Sequence, residues 1–238
     1  MVDIHCHILP GIDDGSKSWE MTADMCRVAA ADGITHIVAT PHANDVYAYD
    51  RERYTAMLGD LHSASEGKLI FSLGCDFHFS YDNIQDALEN PGRYTIGDTQ
   101  YLLIEFSDFG LPPSVKQNIF ALRSRGLVPI ITHPERNQVL LKRPEMVLEL
   151  VEEGCLVQVT ANAVTGEWGK TSEKMVHWLL KRGAVHFVAS DAHDPVRRKP
   201  TISEARDAIA ALSSAEIAES LVRHNPEAVV ENRKLVTI

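Results

Sequence analysis

Histidine, aspartate and glutamate recur in this sequence at short, fixed spacings. His5-x-His7 is followed by Leu9-Pro10-Gly11-Ile12-Asp13-Asp14-Gly15, and then come Thr40-Pro41-His42, Gly74-Cys75-Asp76-Phe77-His78, Ile104-Glu105-Phe106-Ser107, Thr132-His133-Pro134-Glu135-Arg136 and Ala189-Ser190-Asp191-Ala192-His193. On an extended strand residues i and i+2 share a face, so His5 and His7 aim two imidazoles at one point while Cys6 faces away. Asp191 and His193 form a second such pair. Imidazole with carboxylate and without thiolate suits zinc, manganese or iron, and so many histidines disfavour calcium or magnesium alone. His5, His7, Asp14, His42, Asp76, Glu105, His133, Asp191 and His193 exceed what one ion takes, so two or three ions sharing bridging carboxylates are expected. Such ions clamp the attacking and leaving oxygens of an in-line displacement and generate hydroxide near neutral pH. The expected reaction is metal-assisted hydrolysis, with a phosphoester as leading substrate.

Taken singly, each element has a plainer explanation. A lone His42 or His133 at a strand end is more often a hydrogen-bonded structural residue, and Asp13 and Asp14 beside glycines serve a turn. Asp76 and Glu105 are harder to dismiss, because an apolar strand tolerates a buried carboxylate only where cations or several donors compensate it. Six strand ends delivering such residues to one pole argue for a polynuclear metal site. Arg136 follows His133 by three residues, and Arg197-Arg198-Lys199 follows His193 in one short loop. Guanidinium groups suit bidentate recognition of phosphate oxygens.

The elements that must position these residues are legible as alternating strands and helices. Short β-branched runs fall near residues 2–7, 36–40, 69–77, 101–106, 128–133, 156–160 and 186–191. Helical patterns fall at 18–32, 51–64, 115–125, 145–153 and 173–182, with Gly33, Gly126, Gly154 and Gly183 as stops. Ser213-x-x-Glu216 reads as a capping box opening a last helix that Asn225-Pro226 ends. Seven strands with crossover helices predict an α/β fold, a distorted TIM-like (β/α)7 barrel forming a single domain over residues 1–238. Active sites of such barrels lie at the C-terminal ends of the strands, where the candidate ligands cluster. An open doubly wound sheet is the alternative, but no G-x-G-x-x-G follows any strand. Gly169-Lys170-Thr171 is not a P-loop, since Val164 stands where its first glycine is needed.

The 238 residues carry 33 Asp plus Glu against 23 Lys plus Arg, a formal net charge of -10. That balance opposes binding to nucleic acid, whose affinity comes from neutralising phosphates, and equally opposes adsorption to anionic membranes. The N-terminus shows no secretory leader, and no run approaches the ~18 apolar residues of a transmembrane helix. A cytoplasmic setting without membrane insertion is therefore expected. Cys6, Cys26, Cys75 and Cys155 are scattered, which disfavours zinc ribbons and disulfides.

His5-x-His7, Asp13-Asp14-Gly15, Thr40-Pro41-His42, Ile104-Glu105-Phe106-Ser107, His133-Pro134-Glu135-Arg136 and Ala189-Ser190-Asp191-Ala192-His193 resemble the PHP (polymerase and histidinol phosphatase) superfamily. The opening Val2-Asp3-Ile4-His5-Cys6-His7-Ile8-Leu9-Pro10-Gly11-Ile12-Asp13-Asp14-Gly15 is similar to that of the bacterial manganese-dependent protein-tyrosine phosphatases of capsule and exopolysaccharide loci, the CpsB/CapC or YwqE type. The similarity runs through Asn225-Pro226-Glu227. It implies a three-metal site, with manganese first and iron or zinc as alternatives. In that scheme His5, His7 and Asp191 hold one ion and share Asp76 with a second, which also takes Glu105 and His133; Asp14, His42 and His193 hold the third. Arg136 and Arg198 would grip the substrate phosphate. Asp76 departs from the family's usual Glu, and Lys199 before Pro200 departs from the usual Arg-Pro-Pro.

The expected activity is hydrolysis of phosphotyrosine on a bacterial tyrosine kinase of polysaccharide export, a hydroxide bridging two metals attacking phosphorus in line without a Ser or Cys nucleophile. Alternatives are a small-molecule PHP phosphoesterase such as histidinol-phosphate phosphatase, a nuclease, and a metal-binding scaffold without turnover.

Overall fold

A computed structural model of the chain describes residues 1–235. Among these residues nine parallel strands, β1 (Val2–Cys6), β2 (His36–Ala39), β3 (His42–Ala43), β4 (Ile70–Leu73), β5 (Asp76–His78), β6 (Tyr101–Glu105), β7 (Val128–Thr132), β8 (Leu156–Thr160) and β9 (Phe187–Ala189), are separated by helices except between β2 and β3 and between β4 and β5. They form two ladders, β1-β2-β4 and β3-β5-β6-β7-β8-β9. The ladders belong to one circuit, because β2 and β3 are halves of a strand interrupted at Thr40-Pro41, and β4 and β5 halves of one interrupted at Gly74-Cys75. Proline has no N–H to give to a ladder, which accounts for the first break. At the second, a methyl on Gly74 would lie 2.9 Å from Val38 Cγ1. Pairing crosses the gaps through Gly74 N to Ala39 O (2.8 Å) and Asp76 N to Pro41 O (3.1 Å).

The circuit closes between β9 and β1. Asp191 N donates to His5 O and His7 N to Ala192 O, both at 2.9 Å, and Cys6 bridges in parallel to Ala192. Buried Asp3 reinforces this seam by accepting from Ser190 N (3.0 Å) and Ser190 Oγ (2.5 Å). The parallel strands, alternating with helices, make the expected mixed α/β fold, its strands following one another through seven positions.

Helices cover the outside, as parallel strands require. The first, Trp19–Ala31, starts at Ser18, whose hydroxyl accepts from Met21 N, and buries Met25, Cys26 and Ala29 against the larger hydrophobic cluster. A smaller cluster that includes Val38, Tyr101, Leu103, Ile130, Phe187 and Ala189 fills a second core. Strand alternation links it to the chemistry: Tyr101, Leu103 and Glu105 share one face of β6, so packing the first two places the carboxylate at the strand's end.

Several elements differ from the sequence reading. The expected strand over 69–77 is split, as described, and the expected helix over 51–64 divides into Arg51–Ala56 and Leu58–Ala64. The helix expected from residue 173 begins at Lys170. Ser213 closes the helix Ser203–Leu212, and it is Ser214 whose hydroxyl accepts from Ile217 N and caps Ala215–Glu219. Asn225-Pro226 does not end this segment; it passes through a wider π-type turn, Ser220–His224, into the helix Asn225–Val230. The wide turn accommodates a proline that has no N–H for the α-helical bond.

Candidate metal centre

The strand breaks and strand ends bring the ligand-type residues to one pole. His42 opens β3 and Asp76 opens β5, and the two are register partners. Glu105 ends β6, His133 follows β7, and Asp191 and His193 follow β9. Four groups have ligand atoms all within 4.8 Å of one another: His7, Asp14, His42 and His193; His5, His7 and Asp76; His5, His133 and Asp191; and His42, Asp76 and Glu105. Each of the nine residues expected from sequence belongs to at least one group. Glu105 converges with His42 and Asp76, while His133 converges with His5 and Asp191 and also stands 3.7 Å from Glu105.

Hydrogen bonds on the far side of three imidazoles turn their Nε2 atoms inward. Nδ1 of His7 donates to Asp13 Oδ2 (2.8 Å), Nδ1 of His5 to Gln158 Oε1 (2.9 Å) and Nδ1 of His193 to the Asp191 carbonyl (3.0 Å). These partners are acceptors, so each Nδ1 carries the proton and each Nε2 keeps its lone pair, as metal-ligating histidines require. Several inward separations are long for hydrogen bonds, 3.5 Å from His5 Nε2 to both Asp76 and Asp191, 3.3 Å from His42 Nε2 to Asp14 and 3.4 Å from His193 Nε2 to Asp14, while His5 Nε2 lies 3.2 Å from His7 Nε2 and His42 Nδ1 3.2 Å from Asp76. Ligand distances of ~2.0–2.2 Å to one ion place neighbouring ligand atoms about 3–3.6 Å apart. His42 Nδ1 and His133 Nε2 are buried without a hydrogen-bond partner. Orphaned, inward-facing donor atoms among carboxylates fit a cation-binding cluster.

Electrostatics agree. Burial opposes charge on His5, yet Asp76 and Asp191 outweigh it and raise its pKa to about 9. Burial likewise works against charge on His42, and its contacts with Asp14 and Asp76 prevail, lifting it to about 11. His133, where burial dominates, falls to about 3. The carboxylates thus draw protons onto His5 and His42, whereas at His193, as at His133, burial prevails and the pKa falls to about 4; divalent ions would neutralise the same carboxylate charge.

Asp13 and Gln158, which hold His7 and His5, are the candidate positions that sequence reasoning missed. Asp13 is buried and accepts from His7 Nδ1, Gly15 N (2.9 Å) and His42 N (3.1 Å). Burial pushes its pKa up, but the His7 and Gly15 contacts hold it at about 2. Gly15 is required beside it, because a methyl there would lie 2.2 Å from the His7 carbonyl oxygen. Two adjacent carboxylates with one assigned role were the available signal for Asp13. For Gln158 it was an amide in the middle of the buried strand Leu156–Thr160.

Arg136 and Arg198 converge on one atom, Asp191 Oδ2, at 3.0 and 2.6 Å. Their guanidinium carbons also lie 5.5 and 5.6 Å from the ring centroid of Trp168, within cation–π range. Arg197 is exposed, and its backbone N donates to Asp194 Oδ1, so of the two neighbouring arginines it is Arg198 that enters the site. His133 and Asp191 have φ of 30° and 52°. Left-handed backbone at non-glycine residues is costly and concentrates at functional sites.

The family described as "Capsular polysaccharide synthesis, CpsB/CapC" matches residues 1–231. The chain belongs to the CpsB/CapC family. Among its relatives, CapC of Staphylococcus aureus is 35% identical over 202 residues, covering 83% of this chain and 79% of that protein. The tyrosine-protein phosphatase YwqE of Bacillus subtilis (strain 168) is 34% identical over 208 residues, covering 86% and 82%. A chain from the crystal structures of YwqE from Bacillus subtilis and CpsB from Streptococcus pneumoniae, described as unique metal-dependent tyrosine phosphatases, matches with a TM-score of 0.93 at 30% identity over 100% of this chain and 97% of that one. Histidinol phosphate phosphatase of Lactococcus lactis shares the fold, with a TM-score of 0.60 at 13% identity over 89% and 93%. The CpsB/CapC assignment thus rests on sequence and fold together, and within this family frame the ligand cluster and its two arginines occupy one pole.

Proposed function

We propose that this chain is a metal-dependent protein-tyrosine phosphatase. The observation that carries the reading is the convergence of four ligand groups at one pole beside Arg136 and Arg198, in a chain similar to enzymes named tyrosine-protein phosphatases. The proposed metal ligands are His5, His7, Asp14, His42, Asp76, Glu105, His133, Asp191 and His193, for two or three divalent ions, manganese first and iron or zinc as alternatives. Bound there, such ions supply Lewis acidity and lower the pKa of water.

The chain's own residues do the rest. Asp13 and Gln158 orient His7 and His5, while Arg136 and Arg198 stand where they can exchange Asp191 Oδ2 for the non-bridging oxygens of a phosphoryl group and hold its charge as it redistributes. A tyrosine leaving group departs as a phenolate of pKa ~10 and needs less help from a general acid than an alkyl alcohol. The proposed substrate is a phosphotyrosyl protein, a bacterial tyrosine kinase of polysaccharide export. A cytoplasmic, reducing setting belongs to this reading and is supported by four buried, free cysteines. No helix of the described residues is long and apolar enough to cross a membrane.

The test is turnover of p-nitrophenyl phosphate and a phosphotyrosyl peptide before and after exhaustive chelation, with Mn²⁺, Fe²⁺ and Zn²⁺ added back singly. Loss on chelation and recovery with a divalent ion are expected. Activity that survives chelation overturns the metal mechanism, and a higher kcat/KM for histidinol phosphate than for the peptide overturns the substrate.

A further inference from the structure

Two apolar side chains are held in water where the fold gives no packing reason. Val46 is 78% and Phe109 84% exposed. Neither sits on a slack loop. Asn44 Oδ1 accepts from Val46 N (2.9 Å) and Tyr47 N (3.0 Å), and Asn44 N donates to Tyr47 O (3.0 Å), which closes the first turn. The second is tied from outside: the Asn137 side-chain amide donates to Ser107 O (2.6 Å) and Gly110 O (3.0 Å), and Gln138 N donates to Asp108 O (2.7 Å). Fixed turns that display apolar groups mark a surface for a partner.

The two turns border a groove of about 410 Å³ that opens onto Asp14, His42 and Glu105. Asp45 and Asp108 line it as well. No ion pair joins Asp45 or Asp108 to a cation among the described residues: His78, which also lines the groove, leans on Glu105 (3.7 Å), and Arg136, which feels the charge of Asp108, pairs with Asp191. A groove with apolar rims and unpaired negative charge is complementary to a chain bearing both apolar and basic side chains.

We propose that this groove receives the polypeptide flanking the phosphotyrosine and selects a basic residue next to an apolar one. The inference rests on the phosphatase reading and adds the substrate's local chemistry. It is tested with phosphotyrosyl peptides that differ only in a Lys-Leu or a Glu-Leu flank, with p-nitrophenyl phosphate as the substrate without a flank. The Lys-Leu peptide should have a kcat/KM about tenfold higher at low salt, the gap narrowing as salt is added. The double variant Asp45→Asn/Asp108→Asn should erase that gap, and Val46→Ala/Phe109→Ala should lower turnover of the Lys-Leu peptide about fivefold, both with unchanged p-nitrophenyl phosphate hydrolysis. Equal kcat/KM on both peptides overturns the groove while leaving the phosphatase reading intact; no turnover of any phosphotyrosyl compound by the wild type overturns that reading itself. A change in sedimentation of Val46→Ala/Phe109→Ala with unaltered peptide kinetics assigns the tips to contact with a second copy, and also overturns the proposal.

Discussion

Asp13 Oδ2 lies 2.8 Å from His7 Nδ1 and thereby decides which nitrogen of that imidazole faces the ligand cluster. Replacing the carboxylate frees the ring to rotate and to change tautomer. Asp13→Ala is expected to lower affinity for the first-bound divalent ion about 10–100-fold while leaving the circular dichroism spectrum unchanged. Metal titration followed by calorimetry reads this directly, and unchanged affinity would remove Asp13 from the metal centre.

Trp168 contacts both arginines through its ring face. Partly exposed cation–π contacts contribute about 0.5–1 kcal/mol each, so Trp168→Ala should reduce kcat/KM for p-nitrophenyl phosphate about five- to thirtyfold. Trp168→Phe should recover most of the loss, and inorganic phosphate should inhibit the Ala variant more weakly than the wild type. An Ala variant with wild-type phosphate inhibition would show that the ring does not position the arginines.

The buried carboxylates predict a thermal signature that needs no substrate. Without divalent ions, Asp76 and Glu105 repel one another, and ions that bind only the folded chain stabilise it. An excess of ~100 times the dissociation constant contributes about 2.7 kcal/mol, or about 5–10 °C in Tm for a chain of this size. Scanning calorimetry with and without chelator measures this, and His5→Ala should show a smaller shift.

At the opposite pole, His186 predicts how stability changes with pH. Its Nδ1 accepts from Val157 N (3.1 Å), which requires the neutral ring, and burial lowers its pKa to about 4. In the unfolded chain the ordinary value is about 6.5, so between these values the unfolded state binds a proton that the folded state excludes. This contribution is intact above about pH 6.5, declines as pH falls, and is fully lost below about pH 4. His186→Asn keeps an acceptor without the titration, so urea melts at pH 7.5 and 4.5 should show a smaller loss for the variant. An identical loss in both proteins would refute the assignment.

Much of the candidate site was legible because its residues end strands, where a polar side chain stands out against apolar neighbours. His42 and Asp76 were found that way, although the chain breaks that place them opposite one another were not foreseen; Pro41 was the visible cause of one. Gln158 was illegible as a partner of His5, because the pair is 153 residues apart and only ring closure joins them. The sequence singles out Asp14 as a ligand and leaves Asp13 only a turn to make, but the backbone between them turns Asp13 onto His7 and Asp14 toward His42 and His193. The last helices are hidden in the sequence because Pro226 reads as a stop, whereas a wider turn lets the chain absorb it. The helix Tyr81–Glu89 escaped notice beside a short strand.

The seam between β1 and β9 has a consequence for how the protein matures. His5 lies in β1 and His7 just past it, while Asp191 and His193 follow β9, so the ligand groups they share do not exist in a fragment of this sequence that stops before residue 191. Loop-closure entropy makes so distant a pairing a late event. If these groups hold ions as proposed, metal capture would be coupled to completion of the ring, and an ion held by both ends of the circuit would act as a clasp that reports a finished fold.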